Sequence, residues 1–575
     1  MAQNVLNEGL KILKMKKKPF LRKLTGSNVT VKEWMAMKPY DAPIFNYDAF
    51  YVKQAQDVYS YLNEYEEAFQ NWGMSKSQMK ELSCQIVSYF EDYIVEIGFW
   101  RTFIETNKAL YGYALPFYDL SEYDETYINV EDIAFLIWHY ITKYSPEEYI
   151  INPDHDMIMA VSENIFDFFE DVMEEAPAID YYEQFFNIKD NEDYFVFKTK
   201  MKWFSTESYL LGVDLGRKLK ESQAELAAEI KKSKTNAGYY NIVLYSLLEK
   251  YLYQKRSSFS ALNAPEWFAK MAKCSDVRRQ EIIDLTYWID GKFLMTQRQE
   301  KHFIFEHILT NIEYEVLISS FKNSKDLHPS KTTAYNMHLI RWHGEYLLSG
   351  MMYGEEMTDM SIKQYKSSPL ETPWILPEKT LKRMREDTDK LYDAFIDFFD
   401  SPLMVFDSSA QLDKANADFL DFYRQKIISE RDDFTEEDAE KRRKKFNEIN
   451  QNKEVSSFHE SLVQKGMTND VGLFFIKNVG TYICDDIKET IKGLKAKSLK
   501  GQETADLFVS FTNGYTPALC DYLLQEYGSK NLRLPTQRND IDVVKHLPFY
   551  WRMNSPEEFD RSYPLMTMIS EDVFE

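Results

Sequence analysis

Glycine and proline are scarce in this chain, 19 and 18 among 575 residues, roughly half the usual share. Tight turns depend on these residues. Their scarcity argues against turn-rich all-β folds, collagen-like repeats and glycine-rich phosphate-binding enzymes. Helical periodicity fills the space they leave. From Asp48 to Trp72 the apolar residues Val52, Ala55, Tyr59, Leu62, Tyr65, Phe69 and Trp72 recur every three or four positions, which predicts one helix. Gly73 stands where a helix stops, and Ser75 with Gln78 forms a capping box for the next. The stripe then runs through Met79, Leu82, Ile86, Tyr89, Tyr93, Ile97, Trp100 and Ile104. Two long helices on a short turn read as an antiparallel hairpin.

The same pattern predicts helices near 130–144, 156–175, 195–232, 239–256, 265–290, 296–321 and 333–350, with Pro265 after Asn263 in a first turn. Strand signals are weak; the best is Tyr194 to Lys198. The expected fold is mostly α, a multi-helical array of helix hairpins with a smaller, less regular C-terminal domain and at most a small sheet. The predicted divisions are a basic arm over 1–28, a helical array over 29–365, a helical middle section over 366–455 and a mainly helical C-terminal domain over 456–575. Prolines 369, 373 and 377 suit a connector. The charge run 429–455, with Arg442, Arg443, Lys444 and Lys445, lacks an apolar stripe and reads as a solvated, cleavable spacer. The last part is expected to begin with helices and finish in irregular or short β structure.

The 69 Lys and Arg against 92 Asp and Glu give a net charge of −23, which disfavours wholesale binding to nucleic acid or anionic membranes. One local exception lies at the start: Lys11, Lys14, Lys16, Lys17, Lys18, Arg22 and Lys23 stand against the single acid Glu8. These seven are candidate contacts for nucleic acid, anionic lipid or the protein's own acidic body. The four cysteines, Cys84, Cys274, Cys484 and Cys520, fit neither a metal ligand pair nor a disulfide framework. No membrane span or secretory signal is apparent, so a cytoplasmic protein is expected.

The common catalytic motifs are missing: no P-loop, GxSxG, HExxH or paired CxxC occurs. Gly212-Val-Asp-Leu-Gly216 resembles a fragment of the phosphate loop of actin-like ATPases, but it continues a helical pattern. Asp154-His155-Asp156 reads as a turn and N-cap at Asp156, or else as ligands for a divalent metal. His302 with Glu306, and His338, His343 and Glu345, are loose clusters without repeated Glu-x-x-His spacing. Arg341-Trp342-His343 and Tyr550-Trp551-Arg552 suit cation–π packing or nucleobase stacking. No cofactor or metal is expected.

Val31-Lys-Glu-Trp-Met-Ala-Met-Lys-Pro-Tyr40, followed by Tyr47-Asp48 and Tyr51, resembles the opening of an uncharacterised bacterial family typical of Bacteroidota. That opening combines a Trp-x-x-x-x-Pro-Tyr signature with an Asp-x-x-Tyr helix start; Lys38 replaces a histidine. The resemblance implies no activity. Physically, Thr30 and Glu33 form another capping box, with Trp34 packing onto the first hairpin. The expected function is a cytosolic bacterial interaction or regulatory scaffold binding a protein partner, since aromatics dominate binding hot spots. The alternatives are a nucleic-acid-associated component of a defence or mobile-element complex, tethered by the basic arm, and a divergent enzyme with no recognisable motif.

Overall fold

The computed structural model describes residues 28–142, 150–233, 237–322, 324–366, 378–430, 466–477, 479–534 and 542–558, with Glu437, Leu462 and Val463. The seven basic candidates of the arm lie outside the described residues, as does nearly all of the 429–455 charge run. The described chain falls into two compact units: 28–366 with 552–558, and 378–534 with 542–551. The protein is mostly helical, with a small barrel and a second small sheet. No helix among the described residues is long and apolar enough to cross a membrane.

The first unit opens with α1 (Val31–Met35), α2 (Phe45–Asn63), α3 (Glu66–Asn71) and α4 (Lys76–Val95). Both predicted capping boxes form, Thr30 with Glu33 and Ser75 with Gln78. Helices α2 and α4 pack as the expected hairpin. The single helix expected from Asp48 to Trp72 breaks after Asn63, and α3 takes the rest before Gly73, at φ 77°, turns the chain. Next come α5 (Phe99–Tyr111), α6 (Val130–Thr142), α7 (Asp156–Val172), α8 (Tyr181–Phe186) and α9 (Tyr194–Thr206). The best of the weak strand signals, Tyr194–Lys198, lies in the first turns of α9, where the helix over 195–232 was expected to begin. Asp193 accepts from the N–H groups of Phe195 and Val196 and starts a helix there, so capping overrides the local alternation.

Further helices are α10 (Arg217–Ser233), α11 (Ala237–Tyr253), α12 (Ala264–Met271) and α13 (Asp276–Asp284). The helix expected over 195–232 is interrupted by a π-helical turn at Gly212–Gly216. There a Cβ on Gly216 would lie 2.1 Å from the Thr206 carbonyl oxygen, so only glycine lets the turn close on α9. The turn is helical, which removes the resemblance to a phosphate-binding β-hairpin. Asn263, Glu266 and Pro265 open α12 with a third capping box. Ser275 caps α13 and so splits the helix expected over 265–290.

Residues 289–356, expected to be helical at 296–321 and 333–350, are instead a barrel. Its strands are β1 (Ile289–Arg298), β2 (His302–His307), β3 (Glu313–Leu317), β4 (Thr333–Trp342), β5 (Glu345–Leu348) and β6 (Tyr353–Glu356). β1 pairs with β2 and β4, β2 with β3, and β5 with β4, all antiparallel; β3 and β5 are parallel through Val316 and Tyr346. This circuit closes five strands in the Greek-key order of an OB barrel; β6 extends the edge of β4. The core is Phe293, Met295, Phe303, Phe305, Val316, Met337 and Leu339, plugged by Phe321 and Leu327 from the β3–β4 connection. These side chains alternate along strands, and the closing partners lie far apart in sequence. Helix α14 (Asp359–Lys366) covers Leu294, Ile308 and Ala334 outside the barrel with Ile362 and Tyr365.

The second unit contains α15 (Glu378–Phe399), β7 (Leu403–Ser408), α16 (Ser409–Glu430), β8 (Asn469–Ile476) and β9 (Gly480–Cys484). It ends with α17 (Ile487–Lys495), α18 (Gln502–Val509), α19 (Pro517–Tyr527) and α20 (Val543–Asn554) as far as Trp551, the last turn of α20 being counted with the first unit. The antiparallel order is β7-β8-β9. Val471, Leu473 and Phe475 of β8 meet Phe395 of α15 and Leu412 and Phe419 of α16. The other face of β8 meets α17 and α19, where Phe474 lies on Tyr522. Among the described residues after 456, Leu462 and Val463 are helical ahead of β8 and β9, and the described end is helical where irregular or short β structure was expected.

Candidate functional site

The residues of the N-terminal signature converge on one buried network. Trp34 packs at the hairpin as expected, stacked on Tyr51, and its Nε1 donates to Asp48 Oδ1 at 2.7 Å. Tyr40 donates to the same oxygen at 3.0 Å, while the Ile44 N–H takes Oδ2 at 2.6 Å. Lys38 is ion-paired with Glu91 of α4, both side chains 1% exposed, and its Nζ lies 3.5 Å above the Trp34 ring. Tyr47 and Tyr182 donate to Glu91 Oε1 at 2.7 and 3.3 Å. Burial pulls the Lys38 ammonium below its ordinary range, and Glu91 works against that shift. Each charge here has its partners: Glu91 accepts from Lys38, Tyr47 and Tyr182, and Asp48 from Trp34, Tyr40 and the Ile44 N–H. The signature fastens α1 to the hairpin.

Two neighbouring carboxylates follow the same logic. Asp92 accepts from the backbone N–H groups of Gly98, Phe99 and Trp100 and from Tyr209, holding the start of α5. Asp132 accepts from Tyr89 at 2.6 Å and Tyr123 at 2.8 Å. Burial raises it to about 6, against the pull of those donors.

Two serine clusters invite comparison with hydrolases. Ser349, just after β5, donates to Glu249 Oε2 at 2.5 Å and lies 2.6 Å from the Tyr194 hydroxyl and 3.2 Å from Lys198 Nζ. Lys198 also pairs with Glu249. A hydroxyl has one proton and two lone pairs, and three neighbours occupy all of them. Ser258 Oγ lies 3.3 Å from His139 Nε2. Asp214, however, binds the serine side, accepting from the Ser258 N–H at 2.6 Å and the Ser257 hydroxyl at 3.1 Å. A triad needs the carboxylate to orient the imidazole. Both clusters bind elements together: α9, α11 and the barrel in one, α6 and the π-helical turn in the other.

The remaining candidates are also absorbed by packing. His155, rather than the expected Asp156, caps α7 through Nδ1, and Asp156 is the first-turn anion. His302 and Glu306 sit on strand β2 instead of a helix; His302 pairs with Glu345 at 3.0 Å and His338 with Asp290 at 2.9 Å. Among the described residues, no three His, Cys, Asp or Glu side chains are placed to hold a metal ion. Trp342 stacks on Phe197, carries the Arg278 guanidinium on its face and donates to Glu192 O at 2.9 Å. Trp551 donates to Phe511 O, and Arg552 to Asn107 Oδ1, both at 2.7 Å.

OB barrels take ligands on strands 2 and 3 and on the loops after β1 and β4. Here the outward positions of β2 and β3 include Glu306, Glu313 and Glu315, which repel phosphate. The β4–β5 turn is docked on the helices, with His343 Nε2 3.0 Å from Glu192 O. An open feature lies in the second unit, a groove of about 640 Å³ between α17, β7 and α19. Val405, Ile491, Ala496 and Tyr527 form its apolar lining, and Lys488, Lys492 and Lys495 its cationic wall. These lysines are not among the candidates expected from the sequence, although their spacing of four and three puts them on one helix face.

Residues 28–301 match a family described as a protein of unknown function, DUF3843. The similarity therefore runs far beyond the opening signature, through the helices and into β1. No curated protein and no solved structure matches the chain.

Proposed function

We propose that the protein is a non-catalytic interaction scaffold that engages a protein partner. One contrast carries this reading: among the described residues, the serine clusters at Ser349 and Ser258 and the buried carboxylates are engaged in internal hydrogen bonds, whereas a charged groove with an apolar lining stands open. Hot-spot surfaces of this kind combine an apolar centre with a polar rim. The barrel gives the nucleic-acid alternative little support, because its outer acids and docked loop oppose a phosphate chain.

The test is affinity capture with the full-length protein from cells that make it, with nuclease treatment, followed by reconstitution from purified components. A protein partner that binds saturably and survives nuclease is expected. Capture that vanishes with nuclease, or the finding of substrate turnover, would overturn the proposal.

A further inference from the structure

We propose that the groove between α17, β7 and α19 docks an acidic peptide segment carrying an apolar anchor residue. This inference rests on the scaffold reading and names the chemistry of the partner. Helix α17 turns Ile487, Thr490 and Leu494 into the unit and leaves Lys488, Lys492 and Lys495 along the groove. Seven residues at 1.5 Å each spread those ammonium groups over about 10 Å, the reach of a few peptide residues. The segment after α17 carries further cations, Lys497 and Lys500, and is met by Lys530, whose Nζ is 3.5 Å from Lys497 O, and by Arg533, which donates to Leu499 O at 3.0 Å. Asn531 donates to the carbonyls of Gly493, Leu494 and Ala496. The oxygens ending α17 are thereby covered instead of facing an anionic ligand.

The acids beside the groove hold the lysines loosely. Lys488 pairs with Asp407, which is 77% exposed, and Lys492 with Glu489, which is 71% exposed. Exposed pairs of this kind are worth little, so a ligand carboxylate can replace them.

Strand addition is nearly closed off, which leaves side chains to do the recognising. Phe475 N–H donates to Pro402 O, so the alternation of an antiparallel ladder turns the N–H and C=O of Leu403, Val405 and Asp407 away from β8. Ser401 Oγ takes both groups of Leu403, and Gln411 Oε1 takes the Asp407 N–H. At this edge Val405 alone can offer both its N–H and its C=O.

A peptide fits better than a nucleic acid. Single-strand grooves supply aromatic platforms for successive bases. Here Tyr527 is the single aromatic, and Lys495 Nζ lies 4.4 Å from its ring centroid. A long polyanion would also run beyond a Debye length of about 8–10 Å into the field of a chain carrying −23.

The experiment is fluorescence anisotropy on the full chain. The probe is a fluorescein-labelled peptide of glutamates around a central leucine–phenylalanine pair. Saturable binding is expected. Joint Lys488→Glu, Lys492→Glu and Lys495→Glu substitution should weaken it by about tenfold or more. The milder Lys→Gln set should weaken it by about threefold. Replacing the apolar pair of the probe by glycines should also weaken binding by about tenfold. Equal binding by the wild-type and both lysine variants would overturn the proposal. A single-stranded oligonucleotide of equal charge that binds more tightly and displaces the peptide would assign the groove to nucleic acid instead. A natural partner captured equally by wild-type and variant protein would keep the scaffold reading and remove the groove from it. Peptide binding that needs the lysines, without any captured protein, would do the reverse.

Discussion

In the first unit Glu91 is 1% exposed and meets Lys38, Tyr47 and Tyr182, whereas in the second Lys492 is 76% exposed and meets one equally exposed glutamate. The residue types are ordinary in both places; the number of satisfied hydrogen bonds separates them. A buried charge with a full set of partners specifies how helices meet, and removing one partner strands the other. A surface charge in a weak pair exchanges partners freely. The abundance of acids and tyrosines in this chain is therefore partly an internal matter, since tyrosine hydroxyls close off Glu91, Asp92 and Asp132.

The largest effect expected from this contrast is at Glu91. Glu91→Ala should destabilise the first unit by about 3–5 kcal/mol, because Lys38 would be left buried and unpaired. Calorimetry of the full chain should show the loss, and joint Lys38→Met and Glu91→Leu substitution should recover most of it. An unchanged transition in Glu91→Ala would break the comparison. Next is Ser349→Ala, expected to cost about 1–3 kcal/mol by depriving Tyr194, Lys198 and Glu249 of a shared partner. A fluorophosphonate probe should leave Ser349 and Ser258 unlabelled; modification of either, read by peptide mass spectrometry, would restore the enzyme alternative.

The pH dependence of Asp132 sharpens the comparison further. Its pKa is raised from 3.8 to about 6. Between those values the folded protein keeps a proton that the unfolded chain has lost, so this group adds stability as pH falls through 6. From pH 7 to pH 5 the wild type should gain about 1 kcal/mol relative to Asp132→Asn, seen as a change in the gap between their melting temperatures. A gap independent of pH would mean that Asp132 titrates normally. The smallest effect is at the rim: Thr30→Ala should cost about 0.5–1 kcal/mol by removing the cap on α1.

What was legible in the sequence is what short-range chemistry decides. Thr30 with Glu33, Ser75 with Gln78 and Asn263 with Pro265 each marked a helix start within three or four residues, and each start is where it was expected. The barrel was not legible. Apolar residues of this stretch, such as Ile304, Ile308 and Ile312, also recur every four positions, while the pairing of β1 with β4 joins residues some forty positions apart, as Phe293 with Tyr335. The signature residues were visible as a set, but their meeting point was not, because Glu91 and Tyr182 come from α4 and α8. The groove had a signal in Lys488, Lys492 and Lys495. Its floor did not, since Val405 and Tyr527 are brought there by the sheet and by α19.

The interval of sequence similarity ends at Lys301, between β1 and β2. A fragment cut there would keep β1 and lose both strands that flank it, baring Phe293 and Met295 and two rows of unpaired backbone groups. Such an edge recruits other chains and precipitates. Extending the fragment to Lys366 would close the barrel and retain α14, yet Arg552, which is fully buried against Asn107, would still be missing. The stretch that matches the family model is thus not a complete folding unit. A cut at that boundary would deliver an unfinished barrel, so the helices fold with β1 paired only when the rest of the barrel follows them in the chain.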